Sequence, residues 1–386
     1  MQQRQGGLTR RLVLGATIPL IFGAHGTAAV ANVNPEFVYI GMHGDQIHAA
    51  RFDPATGMLT AGGPVASGLR PTWAVQHPVH PIVYWTDEAG NDGASEGGVV
   101  AFRTDRTTGA LQRLGELRAG GGGTTHLSPV TPTTLVATNY GGGSVATMTL
   151  TASGGLQSLG QVETSGGSGP HRRQAAPHPH GSVVDPSGRF VLVADLGADR
   201  VFILPFDRRT GRLGALNPDD GRHYVVAPGS GPRHISFHRN GRVLYLINEL
   251  TAEIQVLSWD SRAGRLTLVQ TISINDPGFS GQSSGGEIAV SRDGRFVYAS
   301  NRGDNSLVIH AVDQRTGRLT RIQKLPSGGE KPWHFAIHPG GSWLLCANRD
   351  ANAVRVFAVD RRSGRLSDTG ASLATPTPVH VHFLER

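Results

Sequence analysis

Arg233, His234 and Glu249 fall within one short stretch, Gly229–Leu250 (GSGPRHISFHRNGRVLYLINEL). It reads as two apolar strands joined by a tight turn, with Arg233 and His234 entering the first strand and Glu249 leaving the second. A guanidinium, an imidazole and a carboxylate therefore meet at one end of a hairpin. Imidazoles and carboxylates move protons, and guanidiniums hold oxyanions or carboxylates through paired N–H groups. That is the equipment for attacking, or forming, an ester-like bond.

The elements that must position these groups are repeats. An apolar strand, an Asp, a few polar residues and Gly-x-Leu recur as RFDPATGML (51–59), FRTDRTTGAL (102–111), TLTASGGL (149–156), PFDRRTGRL (205–213), SWDSRAGRL (258–266), AVDQRTGRL (311–319) and AVDRRSGRL (358–366). Asp can accept from the backbone two residues on, and Gly can take the left-handed conformation that closes the loop, so each phrase is a hairpin. The phrases return about every 50 residues, each with a second hairpin such as Pro186–Arg189 or Asp293–Arg295 before it. Four strands per repeat and seven repeats predict an all-β fold, a seven-bladed β-propeller over 32–386. The chain enters on a second-strand phrase, EFVYI (36–40), and leaves on a first-strand phrase, PVHVHF (378–383). The last strand is expected to complete the first blade and close the ring.

Aligning the repeats on their turn glycines exposes three equivalent slots. The slot of His234 holds Trp73, His126, Gly181, His234, Glu287, His334 and His380. The slot before it holds Thr72, Thr125, His180, Arg233, Gly286, Trp333 and Val379, and the slot of Glu249 holds His43, Glu88, Tyr140, Leu196, Glu249, Arg302 and Arg349. First strands are innermost in a propeller, so all three slots crowd the central channel. Polar groups can cap strand ends anywhere in a ring. Their concentration in three consecutive repeats, at His180, Arg233-His234-Glu249 and Glu287-Arg302, marks one sector of the channel mouth.

Other chemistries are poorly supplied. The pairs His178/His180 and His380/His382 have metal-ligand spacing on a strand but no third ligand, and no metal or other cofactor is expected. Glycine-rich runs, the Gly-x-Ser-x-Gly matches at 93–97 and 281–285 among them, read as loops with no following helix, and so as neither a nucleotide site nor a nucleophile elbow. The lone Cys346 sits in a strand pattern and reads as a buried structural thiol. The formal charge is +7 and almost all cations are arginine, but nothing clusters them into a stripe with interleaved aromatics that would signal nucleic acid. Residues 1–31 read as an export leader: Arg10-Arg11, an apolar run to Ala24 too short to span a bilayer, and Ala29-Val30-Ala31 as a cleavage site. A periplasmic or secreted location by the twin-arginine route follows.

The phrases APHPHG (176–181), VADLGADRVFIL (193–204), GPRHISFHRNG (231–241), INEL (247–250), EIAVSRDGRFVYASNRG (287–303) and ATNYGGGSV (137–145) resemble the seven-bladed lactonase family typified by 6-phosphogluconolactonase. Carboxy-muconate lactonising enzymes share that fold. The resemblance implies catalytic roles for His180, Arg233, Glu249 and Arg302. His126, His234, Glu287, Trp333 and His334 become candidate substrate contacts, and a lactone or carboxylate becomes the small-molecule substrate. Trp333 stands where the family pattern carries arginine, and TTHL (124–127) replaces a proline-led phrase. Both that tryptophan and the leader argue against a phosphorylated substrate. Hydrolysis, lactonisation and non-catalytic binding of a carbohydrate, anion or protein remain alternatives at this level.

Overall fold

The computed structural model describes residues 36–216 and 221–384. The leader predicted over 1–31 lies outside the described residues. Among those described, seven antiparallel sheets follow one another along the chain. The first blade pairs Glu36–Met42, Gln46–Asp53 and Met58–Ser67 with the C-terminal strand Pro378–Phe383. Val38 faces Phe383 and Gly41 faces His380, so the ring closes as the terminal phrases predict. The inner strands of the second to seventh blades are Ala74–Gln76, Thr124–Thr131, Pro179–Val184, Pro232–Phe237, Gly285–Val290 and Pro332–Ile337. The fourth blade departs from the simple pattern: its outer edge is split into Arg212–Leu213 and His223–Val225, both paired with Arg200–Asp207.

The repeated phrase does two jobs. Its first glycine has positive φ in all seven blades, from 62° at Gly264 to 83° at Gly154. It also lies against the neighbouring blade. A Cβ on Gly109 would come within 2.3 Å of the Phe37 ring, and one on Gly364 within 2.4 Å of Phe296. The aspartate accepts backbone N–H groups inside its own turn, as from Arg209 to Asp207 and Arg262 to Asp260. Tyr84, Tyr245 and Tyr298 donate to the turn-glycine carbonyls of the next blade, Gly154, Gly317 and Gly364. Apolar core clusters straddle blade pairs; one joins Tyr245 and Ile247 to Ile288 and Val297. Cys346 is fully buried in such a cluster, as its strand pattern predicts.

Candidate active site

The slot that ends each second strand is fixed by one backbone hydrogen bond in every blade. The N–H groups of His43, Glu88, Tyr140, Leu196, Glu249, Arg302 and Arg349 donate to residues just ahead of their own inner strands, for Glu249 to Gly231 O at 2.7 Å. Asn or Asp precedes most of these positions, and several tie down the adjoining turn. Asp195, for example, accepts from the backbone of His178, Gly197 and Ala198.

The inner-strand slots owe their geometry to β-bulges. Register shifts between Thr124 and His126, Pro179 and Gly181, Pro232 and His234, and Pro332 and His334 leave Thr125, His180, Arg233 and Trp333 unpaired. Side chains alternate across a regular strand, so two adjacent residues could not both line the channel. A bulge lifts that restriction and re-aims the extra residue. Arg233 and His234 accordingly both line a cavity of about 290 Å³ at the channel mouth.

Glu249 is the hub of this cavity. Its carboxylate meets Arg302 Nη2 at 2.8 Å, Arg233 Nε at 3.2 Å, His180 Nε2 at 3.8 Å and the Arg173 guanidinium. Burial would raise the Glu249 pKa, but Arg302, Arg173 and Arg233 outweigh it and hold the carboxyl well below its ordinary range. Arg233 also donates to Gly286 O at 2.7 Å, and Arg302 to Gly285 O at 2.7 Å, so both guanidiniums are braced by the next inner strand or their own. Burial, with Arg302 beside it, lowers the Arg233 pKa to about 10. Burial and Arg233 push His180 well below 6.5, which leaves its imidazole neutral.

A second layer lies deeper. His234 Nδ1 is 3.0 Å from Glu287 Oε2, and His334 Nε2 is 3.6 Å from the same oxygen. Gly181 fills the His234 slot of the fourth blade because a Cβ there would sit 2.8 Å from His234 Cδ2. The Trp73 indole lies among His126, His234, His334 and His380, with ring centroids 4.2 to 5.3 Å away. Nδ1 of His126 and of His334, and Nε2 of His380, accept backbone N–H groups from the blade ahead, at Ser182, Val381 and Ala74. His126 therefore stacks on Trp73 and does not line the cavity, whereas His234, Glu287, Trp333 and His334 do.

Trp333 takes part where a lost arginine is expected. The guanidiniums of Arg302 and Arg349 lie 4.6 and 4.4 Å from its ring centroid, a cation–π sandwich that orients both. The two His-x-His pairs are separated by their surroundings. His178 stacks on Tyr140 at 4.3 Å while the bulge turns His180 into the cavity, and His380 is engaged by Ala74.

Arg173 has no counterpart in the repeat alignment. It sits on a single helical turn, Arg172–Gln174, in the loop between the third and fourth blades. Fully buried Gln174 anchors that turn by donating to Leu196 O, and Arg173 spans Glu249 and the Tyr140 hydroxyl.

The family model described as Lactonase, 7-bladed beta-propeller matches residues 37–383. The chain belongs to this lactonase family. It is 32% identical over 270 residues to the 6-phosphogluconolactonase of Bacillus subtilis, covering 70% of this chain and 74% of that protein. It is also similar to the solved periplasmic gluconolactonase of Pseudomonas aeruginosa, with 32% identity and a TM-score of 0.84 over 90% of this chain and 99% of that one. Within this lactonase-family propeller, His180, Arg233 and Arg302 come from three successive blades and converge on the Glu249 carboxylate.

Proposed function

We propose that the chain is an exported lactonase that hydrolyses an unphosphorylated sugar lactone or a small organic-acid lactone. The observation that carries this reading is the charge balance at Glu249, where three guanidiniums share one carboxylate. Positive charge is left over in a buried cleft, which suits a reaction that develops an oxyanion and releases a carboxylate. Among the described residues the nearest proton carrier is His180, which is neutral and so able to accept.

In this mechanism water attacks the lactone carbonyl as His180 takes its proton. Arg233 and Arg302 hold the developing oxyanion. The ring C–O bond then breaks, and the departing alkoxide takes the proton back from the His180 imidazolium. The product is an open-chain hydroxy acid that releases its carboxyl proton to solvent, and its carboxylate rests against the arginines. Glu249 keeps the guanidiniums aimed; a carboxyl with so low a pKa is a weak base. His234 and Glu287 support the floor beneath the reacting group.

Three features favour an unphosphorylated substrate outside the cytoplasm. They are the twin-arginine phrase at Arg10-Arg11, the tryptophan at 333, and the likeness to a periplasmic gluconolactonase. The reading is tested by crystals soaked with an aldonate product. A carboxylate seated between Arg233 and Arg302 supports it; an aldonate held elsewhere, or excluded at saturating concentration, contradicts it.

A further inference from the structure

The catalytic cleft opens at one end of the inner strands. At their other end lie the turns joining first to second strands and third to fourth strands. His234 pairs with Ile247 near the cleft and Phe237 pairs with Leu244 at the far end, so the two turn sets share the opposite face. Contacts between turns knit that face together. Arg189 donates to Ser261 O, Arg239 to Asp293 O, and Arg295 to Arg361 O, each reaching the next blade.

In the fourth to seventh blades these turns read DPSGR (185–189), DRRTGR (207–212), RNGR (239–242), DSRAGR (260–265), RDGR (292–295), DQRTGR (313–318) and DRRSGR (360–365), the eighth being the arginine-free HPGGS (338–342) of the seventh blade. They hold fifteen arginines against six aspartates, an excess of nine positive charges, and every one of these arginines is exposed. Among the described residues only Arg295 lies within ion-pair distance of a carboxylate on this face, that of Asp293. Several aspartates instead accept the backbone N–H groups of their own turns. The equivalent turns of the first three blades, DPATG (53–57), HPVHP (77–81), DRTTG (105–109), TPTT (131–134) and TASGG (151–155), hold one arginine against two aspartates. The charge is thus confined to one half of one face.

A cavity of about 590 Å³ opens within the charged half. Arg239, Arg292 and Arg361 line it together with Phe296, Tyr298 and Ile337, a cationic rim over an apolar wall in which the one carboxylate, Asp293, is paired with Arg295. Guanidiniums pair with phosphate through two N–H groups, and the apolar wall suits the glycerol and first methylenes of a lipid.

We propose that this arginine-rich half-face docks the enzyme on an anionic lipid surface of phosphate headgroups, leaving the catalytic cleft turned toward the medium. Turn tips of four consecutive blades present their charges side by side over a broad face, which suits a plane of charges more than a single strand. The seven turn phrases contain no aromatic residue to stack a base, and among the described residues this face carries no helix to enter a groove. Attraction of this kind adds up over many basic side chains and is screened by salt.

The test is co-sedimentation of the purified full chain with vesicles of phosphatidylcholine, with or without phosphatidylglycerol. The comparison is a variant carrying Arg208→Glu, Arg209→Glu, Arg361→Glu and Arg362→Glu. The wild type is expected to bind only the phosphatidylglycerol vesicles, at about 0.05 M salt and not at about 0.5 M. The variant is expected to bind at least about tenfold more weakly while keeping its melting temperature and its lactone turnover. Equal binding to neutral vesicles, or undiminished binding by the folded variant, overturns the proposal. Binding to heparin or polyphosphate without binding to anionic vesicles also overturns it and assigns the face to a soluble polyanion.

Discussion

Nε of Arg233 lies 3.2 Å from Oε2 of Glu249, and both side chains are 3% exposed. They close the two ends of one hairpin, so the fifth blade holds its own ion pair before any neighbour contributes. Glu249 is thereby committed as a counter-ion. Replacing it by Gln leaves buried guanidiniums uncompensated, a loss of about 3–5 kcal/mol by analogy with broken buried pairs. Glu249→Gln is expected to lower the melting temperature and to reduce kcat, yet to keep the acid limb of the pH–rate profile. Loss of that limb in the variant would assign the base to Glu249.

In the proposed mechanism the acid limb belongs to His180. Burial and Arg233 hold its pKa below 6.5, and the base must be unprotonated to act. Activity is therefore expected to stay level from neutral pH down past 6.5 and to fall only in more acid solution. On the alkaline side it should fall near pH 10 as Arg233 loses its proton. Rates corrected for spontaneous lactone opening check this. An acid limb above pH 7 contradicts the assignment.

Trp333 orients two guanidiniums at once. Each such contact is worth about 0.5–2 kcal/mol. Trp333→Ala should raise KM roughly tenfold with a smaller change in kcat, and Trp333→Phe should recover part of the loss. Steady-state kinetics on all three proteins decide the point. A Trp333→Ala enzyme with unchanged KM would show that the sandwich is idle.

The histidine ring beneath the cleft makes the fold sensitive to acid. Burial lowers the pKa values of His334 and His382 to about 4, and those of His126, His234 and His380 well below 6.5. Between pH 6.5 and about 4 the unfolded chain binds protons that the folded chain refuses. Stability is thus fully present above pH 6.5 and drains as pH falls through that window, by up to about 1.4 kcal/mol per pH unit for each such histidine. Calorimetry from pH 7.5 to pH 5 should show a steadily falling melting temperature. A constant melting temperature would mean that the ring accepts protons without breaking its links between blades.

Much of this was legible because the fold is a repeat. The seven turn phrases give blade number and the slots for His180, Arg233, Glu249 and Arg302, since equivalent positions in a propeller share one radius, and the two terminal strand phrases give ring closure. Arg173 was not legible: it sits on a loop between blades, where no register exists to align. The bulges were hidden too: the aligned slots place two adjacent residues at the channel, but nothing in Pro-Arg-His or Pro-Trp-His announces the register shift that lets both side chains face it. His126 shows the opposite limit, a slot-mate of His234 that stacks on Trp73 and never lines the cleft. The arginine-rich face escaped a search for linear stripes because each blade adds only its turns, about 50 residues apart in sequence and adjacent in space.

The central claim is that the cluster around Glu249 opens lactones. The most direct measurement is proton release from a panel of aldonolactones, glucono-1,5-lactone among them, by the wild type and by Arg233→Ala/Glu249→Ala, with circular dichroism confirming that both are folded. Wild-type turnover is expected well above spontaneous opening on at least one unphosphorylated lactone, with the double variant at the spontaneous rate. Wild-type rates no higher than those of the folded double variant across the panel would contradict it.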